Sequence, residues 1–323
     1  MNVNLVEEGT LKYKDGYLIY KTKEYSNKLP LLNIKEICLY NNIELDSKTL
    51  SKLLNNNIIV NIFNKRENYV GVCHNQSINN GKYLIKQVEA YNSDKRLVIA
   101  KQILISAFIN MSKVLKKYDI NISDTPLRSS YLIEHIVNKI TSIEKLMLFE
   151  AKIRHLYYSY FNMIINYEAF YFQSRKYHPA NDKINCLISF INSIIYKHCL
   201  GVIYKVKLNP SISYLHSSND RTSSLQYDIS EIYKPIIGDR VLFSIINRNQ
   251  VSNDDFIVKD GSIIISYHLK KIIINEINMR LNSSILINKR KYTYKQLIER
   301  DCYSLRKYIN DETDKINFFR STW

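Results

Sequence analysis

The chain has 323 residues, of which 46% are hydrophobic and 24% charged, so it is long enough for two domains, or one large domain, of ordinary globular composition. Lysine and arginine number 46 against 30 aspartates and glutamates, which gives a formal net charge of +16. A surplus of this size favours nucleic acid, an acidic protein or an anionic membrane surface as the partner. A basic surface without a dedicated partner is the alternative.

The number and spacing of the cysteines bear on whether the chain holds structural zinc or disulfides. They are Cys38, Cys73, Cys186, Cys199 and Cys302, an odd number with no C-x-x-C spacing. This argues against a zinc knuckle and against a disulfide framework, and it fits a reducing compartment. No basic-then-apolar leader opens the chain and no run of 18 apolar residues interrupts it. We therefore expect a soluble, cytoplasmic protein.

The first 75 residues are predicted to form short strands. Leu11–Lys14 and Tyr17–Thr22 flank Asp15-Gly16, a strong hairpin signal. Asp46 or Ser47 can cap a short helix that runs through Leu54. Further β-branched runs are Ile34–Tyr40, Ile58–Phe63 and Tyr69–Cys73.

A polar segment, Gln76–Gly81, is predicted to be a linker, and the periodicity changes after it. From Tyr83 onward apolar residues recur at three- and four-residue steps, which predicts helices. The predicted fold class is α+β: a small N-terminal β-strand domain (1–75), a linker (76–81) and a larger all-helical C-terminal domain (82–323). The predicted helical segments are Tyr83–Lys117, Ser142–Phe172, Asp182–Val206, Ser224–Ile246, Ile264–Leu281 and Thr293–Ile309.

Four polar residues of the helical region are candidates for chemistry, and each also has a structural interpretation. Glu150 lies in an apolar helical stretch, where Arg154 four residues on could simply pair with it. His216 follows a segment opened by Asn-Pro and could be a hydrogen-bonded structural histidine. Asp228 and Glu231 share a helix face that could be merely solvated. Together, two or three carboxylates and one imidazole suit Mn²⁺ or Mg²⁺ better than structural zinc.

Several ordered blocks of the chain resemble one family over nearly its whole length. The most specific blocks are Phe149-Glu150-Ala151, Asn185-Cys186-Leu187-Ile188-Ser189-Phe190, Leu208-Asn209-Pro210-Ser211-Ile212-Ser213-Tyr214-Leu215-His216 and Ser224-Leu225-Gln226-Tyr227-Asp228-Ile229-Ser230-Glu231. On these blocks the sequence resembles CRISPR-associated protein one, the integrase subunit of CRISPR adaptation.

The resemblance implies a metal-dependent DNA endonuclease and integrase. It places the Mg²⁺ or Mn²⁺ ligands on Glu150, His216 and Glu231, with Asp228 as a supporting ligand or an orienting residue. The implied reaction is transesterification, in which the 3′-hydroxyl of a protospacer attacks the border of the leader and the repeat. The alternatives are a structure-specific repair nuclease and a non-catalytic nucleic-acid scaffold.

The resemblance also implies partners. The family forms homodimers largely through the β domains and assembles with CRISPR-associated protein two, a small ferredoxin-like subunit. It binds double-stranded DNA, both as protospacer and as repeat. Basic residues near the motifs are predicted phosphate contacts: Arg175, Lys176, Arg221, Lys234 and Arg240.

Overall fold

A computed structural model describes residues 2–64, 69–75, 81–165, 167–176, 182–218, 223–259 and 262–322. The chain divides into two compact units, Met1–Asn80 and Gly81–Trp323. Residues 76–80 of the predicted linker lie outside the described residues, and Gly81 is the first residue of a helix.

The first unit is built on two four-stranded sheets. One has the order β1-β5-β7-β8, in which the first three strands are parallel, and the other has the order β4-β3-β2-β6. The strands are β1 (Asn2–Leu5), β2 (Gly9–Lys14), β3 (Tyr17–Lys21), β4 (Ser26–Pro30), β5 (Glu36–Leu39), β6 (Ile43–Leu45), β7 (Ile59–Phe63) and β8 (Tyr69–Cys73).

Local sequence explains the turns and the helix of this unit. Asp15 and Gly16 both have positive φ, at 49° and 84°, as a two-residue hairpin between β2 and β3 requires. Helix α1 (Ser47–Asn55) begins where the Asp46 carboxylate accepts the N–H of Thr49 at 2.6 Å. The helix packs on β2 and β7. The core between these elements includes Leu11, Leu18, Ile37, Leu53 and Val60.

The second unit is a helical assembly around two long, buried helices. The helices are α2 (Gly81–Tyr91), α3 (Lys95–Lys117), α4 (Ser130–Asn138), α5 (Ile143–Ser159), α6 (Phe161–Ile164), α7 (Lys183–Lys205), α8 (Leu225–Tyr233), α9 (Arg240–Asn247), α10 (Tyr267–Asn282) and α11 (Tyr294–Ile309). Helix α3 packs on α4, α5 and α8, and α7 packs on α8 and α11.

Helices α3 and α7 are long and apolar enough to cross a membrane. Within this unit, however, 72% and 67% of their most apolar windows are buried in the fold. Burial of this extent is what core helices of a folded domain show, since a helix that is apolar all round needs partners on every side. The two helices thus form the framework that α8 packs against.

The fold class predicted from the sequence is confirmed, with one correction. The second unit is largely rather than entirely helical, because it contains the antiparallel hairpins β9–β10 and β11–β12. Strand β10 takes up the start of a segment that was predicted to be helical. The strands are β9 (Phe256–Lys259), β10 (Ser262–Ile265), β11 (Ser284–Ile287) and β12 (Arg290–Thr293).

A π-helical segment, Lys234–Asp239, joins α8 to α9 without an intervening loop. It contains Pro235, which lacks the N–H that a regular α-helix would use, and this favours a local change of helical pitch. At Gly238 an added Cβ would come within 2.9 Å of Cδ1 of Ile195 in α7, so the side chain of Ile195 would have to shift to admit it. The segment is therefore held tightly against the core.

Candidate active site

Helix α5 carries the first candidate residue. The helix starts at Ser142, whose hydroxyl accepts the N–H of Lys145 at 3.3 Å. Glu150 lies in the middle of α5, and its side chain is only 12% exposed. Nε of Arg154, one turn further on, donates to Oε1 of Glu150 at 2.8 Å. The expected pairing of Glu150 with Arg154 is thus present in the structure.

The second and third candidates are joined in one hydrogen-bonded unit. Asp228, on α8, is fully buried and lies against the loop that precedes the helix. Its Oδ2 accepts the N–H groups of Tyr214 and Leu215 at 2.6 and 3.0 Å. Its Oδ1 accepts the N–H of His216 at 3.1 Å and lies 2.7 Å from Nδ1 of the same residue. One carboxylate therefore fixes both the loop backbone and the imidazole.

This contact sets the tautomer of His216. Asp228 Oδ1 accepts hydrogen bonds, so the ring nitrogen that faces it, Nδ1, carries a proton. In the neutral ring the lone pair is then on Nε2. The His216 side chain is 30% exposed, whereas that of Asp228 is 0% exposed. An imidazole held by a carboxylate in this way is what metal-ligating histidines usually show.

Glu231, one turn after Asp228 on α8, completes the set. Its side chain is 3% exposed. Lys234 donates from Nζ to Oε1 at 2.6 Å, and the guanidinium of Arg154 pairs with Oε2. Arg154 thus joins Glu150 on α5 to Glu231 on α8. The two buried carboxylates lie on different helices and share one cation.

The imidazole of His216 lies close enough to Glu150 to affect its pKa. Burial raises the pKa of Glu150, but the charges of Arg154, His216 and Lys234 outweigh it, and the net effect lowers that pKa. Glu150 is therefore a carboxylate at neutral pH, and His216 lies near enough to act on it electrostatically. The structure brings Glu150, His216 and Glu231 into one region and links Asp228 to it through His216.

The donor set fits a divalent metal ion by its chemistry. Two carboxylates and one imidazole with a free Nε2 are hard and borderline ligands of the kind that Mg²⁺ and Mn²⁺ accept. The two carboxylates already share the cation Arg154. Among the residues that the structure describes, no three acidic, histidine or cysteine side chains lie close enough together to hold an ion directly. In this arrangement the cation between Glu150 and Glu231 is the guanidinium of Arg154.

The five predicted phosphate contacts lie in different surroundings. Arg175 is engaged within the protein, since it donates to the side chains of Asn185 and Ser189 at 2.8 and 3.0 Å. Lys176 is exposed, and Lys234 is paired with the carboxylate of Glu231 described above. Arg240 begins α9 and lines a cleft. Arg221 lies outside the described residues.

Two further residues beside the site, Tyr157 and Asp239, were not among the predicted site residues. Tyr157 donates its hydroxyl to Oδ2 of Asp239 at 3.0 Å, and both side chains are buried. Burial raises the pKa of Asp239 to about 6, against the opposing effects of Tyr157 and Arg154. Asp239 ends the π-helical segment, and such segments are frequent at functional sites.

The chain is similar in sequence to known proteins of one family. A family model described as CRISPR associated protein Cas1 matches residues 3–279. The chain belongs to the Cas1 family. The CRISPR-associated endonuclease Cas1 2 of Thermodesulfovibrio yellowstonii is 34% identical over 320 residues, which are 96% of both chains. The CRISPR-associated endonuclease Cas1 of Fusobacterium nucleatum is 33% identical and covers 99% of this chain and 96% of its own.

Solved structures agree with the family assignment. A Cas1 protein from Thermotoga maritima superposes over the full length of both chains with a TM-score of 0.85 and 28% identity. A casposase bound to an integration product has the same TM-score at 19% identity, covering all of this chain and 94% of its own, and so shows the fold alone. The β-rich first unit and the largely helical second unit are therefore the Cas1 fold.

Proposed function

We propose that this Cas1 chain is a metal-dependent DNA endonuclease and integrase of CRISPR adaptation. Its relatives from T. yellowstonii and F. nucleatum are named CRISPR-associated endonucleases, and the casposase of the same fold was solved on an integration product. The observation that carries the proposal is the arrangement around Arg154 and Asp228. Two buried carboxylates share one cation beside an imidazole whose tautomer is set.

Glu150, His216 and Glu231 are the residues that would hold Mg²⁺ or Mn²⁺. Such an ion, when bound, supplies charge stabilisation at a phosphoryl oxygen and makes a hydroxyl or water a better nucleophile. Asp228 keeps the proton on Nδ1 of His216 and thereby keeps Nε2 available. Lys234 balances part of the charge of Glu231, so that the buried carboxylates do not repel each other strongly.

The proposed reaction is a transesterification. The oxygen of a protospacer 3′-hydroxyl forms a bond to a phosphorus at the border of the leader and the repeat. The existing P–O3′ bond at that border breaks, its oxygen leaves with the electron pair as the 3′ end of the leader, and the hydroxyl proton passes to solvent. With water in place of the 3′-hydroxyl, the same site hydrolyses the strand.

The proposed partners are double-stranded DNA, a second copy of the chain and Cas2. A Cas6–RT–Cas1–Cas2 complex and a Cas1–DNA complex contain chains of this fold, with TM-scores of 0.83 and 0.64. We place the homodimer contact on the first unit, where β4 is the end strand of its sheet and most of its residues are exposed. The reducing cytoplasm is the proposed compartment, since none of the five cysteines, all of which lie in the described residues, forms a disulfide.

Two other functions give different results in the same assay. A structure-specific repair nuclease would cleave branched DNA with no dependence on the repeat sequence. A non-catalytic scaffold would bind DNA with no dependence on Mg²⁺ or Mn²⁺. The assay therefore combines the chain with its Cas2 partner, a protospacer and a repeat plasmid, with and without chelator.

The decisive variant is His216→Ala. We expect it to abolish joining of the protospacer while the protein stays folded and still binds DNA. The matched control is His155→Ala, because His155 is an exposed histidine on α5, the helix that carries Glu150. Joining by His216→Ala at the rate of the control would exclude the proposed site.

A further inference from the structure

A cleft of about 520 Å³ lies between the end of α3, helix α9 and helix α10. Four of the side chains that line it are cationic and one is acidic. The cations are Lys117, Arg240, Arg248 and Arg280, and the acid is Glu276. Because clefts of this size enclose small groups rather than a duplex about 20 Å across, the shape favours a flexible anionic chain.

The three arginines line the same cleft as one aromatic residue, Tyr118, at the end of α3. Burial raises the pKa of its hydroxyl, and Arg240, Arg280 and Arg248 act against that rise, so all three guanidinium charges reach the same phenol. The ring is partly exposed and packs edge to face on Phe243, with centroids 5.4 Å apart. A rigid, half-exposed ring among cations is a surface on which a base can stack.

Arg280 is held in place by the protein. Its Nε donates to the carbonyl of Ile236 at 3.1 Å, and one terminal nitrogen donates to the hydroxyl of Tyr294 at 2.9 Å. The guanidinium also lies over the ring of Tyr294, 4.6 Å from its centroid. A guanidinium has five N–H donors, and these two hydrogen bonds use two of them. Arg280 is a preorganised cation in the wall of the cleft.

The cleft lies along the continuation of the helix that carries Glu231. Arg240 follows the π-helical segment directly, and Arg248 ends the same helix. At 1.5 Å per residue, Arg240 and Arg248 are roughly 12 Å apart along the axis. Charges along one strand of B-DNA recur about every 3.4 Å, so the two arginines can contact separate phosphates.

We propose that this cleft binds the sugar-phosphate backbone of a single DNA strand, with a base against Tyr118. The cations hold successive phosphates without reading sequence, and the aromatic ring adds stacking, the combination used by proteins that bind single strands. The inference rests on the proposed function only in taking the strand to be DNA. It assigns Lys117, Arg248 and Arg280 a role that the catalytic residues do not share.

The test uses the full chain with Lys117→Gln and Arg248→Gln combined. Both side chains are exposed, so the fold should be unaffected, and an unchanged unfolding temperature checks this. The probe is a fluorescein-labelled single-stranded oligodeoxythymidine, and its binding is measured by anisotropy at several salt concentrations. We expect weaker binding. The slope of the logarithm of the binding constant against the logarithm of the salt concentration should be smaller in magnitude by about 1.4, since each lost phosphate contact on a single strand removes about 0.7.

The matched control combines Arg290→Gln and Lys307→Gln. It removes the same charge from two exposed residues of the second unit that do not line the cleft. Its salt slope should stay at the wild-type value. Equal losses in the two double variants, or no loss in the cleft variant, would overturn the proposal.

Two further arms test the kind of ligand. A duplex of the same length should lose less affinity than the single strand, and an equal loss would overturn the single-strand assignment. Inorganic phosphate should compete with the oligonucleotide no better than chloride at equal ionic strength. Stronger competition would show that the cleft takes a free phosphate instead. His216→Ala is assayed alongside, since it should change joining and leave anisotropy unchanged, so failure of either proposal is visible separately.

Discussion

Oδ1 of Asp228 lies 2.7 Å from Nδ1 of His216, and the same carboxylate accepts three backbone N–H groups from Tyr214, Leu215 and His216. The position of the imidazole therefore depends on a residue twelve positions later, on α8. Because Asp228 is fully buried and its oxygens are already hydrogen-bonded, its main task in this arrangement is to orient His216.

Asp228→Asn tests that task. An amide has one acceptor oxygen, so its NH₂ group must face either the backbone N–H groups or Nδ1 of His216. We expect protospacer joining to fall about 10- to 100-fold, as for other residues that orient a metal ligand. Nitrogen-15 spectra of His216 should show loss of the Nδ1-protonated tautomer. A large loss of activity with an unchanged tautomer would contradict the orienting role.

Arg154→Met tests whether this guanidinium competes with a metal ion. Without Arg154, the buried Glu150 and Glu231 lose their shared cation, so the metal-free protein should lose about 3 kcal/mol of its free energy of unfolding. Added Mn²⁺ should then raise the unfolding temperature of the variant more than that of the wild type. The reason is that Mn²⁺ binds the folded variant more tightly when Arg154 no longer competes for the two carboxylates.

The control for that experiment is Lys152→Met on the exposed face of α5. It removes one positive charge from the same helix and should leave the response to Mn²⁺ at the wild-type level. Isothermal titration with Mn²⁺ gives the affinities directly. Weaker Mn²⁺ binding by the Arg154 variant than by the wild type would contradict competition.

Asp239→Asn should change the pH dependence of stability. Burial raises the pKa of Asp239 from 3.8 to about 6, so the folded state holds a proton that the unfolded state has lost between those values. The contribution to stability is complete below pH 3.8 and is lost as the pH rises to about 6. The loss is at most about 3 kcal/mol, at 1.36 kcal/mol for each pH unit.

Asparagine keeps the acceptor for Tyr157 and has no charge to bury. The variant should therefore be more stable than the wild type at pH 7 and nearly equal to it at pH 4. Urea unfolding at intervals between these values measures the difference. A constant difference across the range would show that Asp239 does not titrate there.

Tyr233→Phe tests how much the hydrogen bond from Tyr233 on α8 to Asp301 on α11 contributes to the stability of the fold. The hydroxyl of Tyr233 donates to Oδ2 of Asp301 at 2.6 Å, and that oxygen also accepts the N–H of Phe319 at 2.8 Å. Removing one donor from a buried carboxylate should cost about 1–3 kcal/mol in urea unfolding. Tyr131→Phe, at a side chain 79% exposed, should cost much less, and an equal cost would contradict the assignment.

Much of the fold follows from local patterns. Asp15-Gly16 predicted the first hairpin, and Asp46 caps α1 as expected. Strands β1 and β6 were missed because they are four and three residues long and pair with strands distant along the chain. Strand β4 pairs with the adjacent β3 and was missed because Ser26–Pro30 contains no β-branched residue. The hairpin β11–β12 was missed because Asn288-Lys289 has no glycine, although both residues adopt positive φ, at 47° and 65°.

The site was predictable in its residues but not in its contacts. The pairing of Glu150 with Arg154 follows from helical spacing, since residues four apart share a face. The second partner of Arg154 is Glu231, 77 positions away, and only the packing of α5 and α8 in the fold brings them together. The buried Tyr157–Asp239 contact depends on the same packing and leaves no local pattern.

The central claim is that Glu150, His216 and Glu231 bind one divalent cation. Crystals of the protein soaked in Mn²⁺ and measured at the manganese absorption edge test it most directly. The account predicts one strong anomalous peak in contact with both carboxylates and with Nε2 of His216, and with Arg154 moved away from them. The account would be contradicted if the peak lay elsewhere and Arg154 were still between Glu150 and Glu231, in a preparation of the protein that is active in joining DNA.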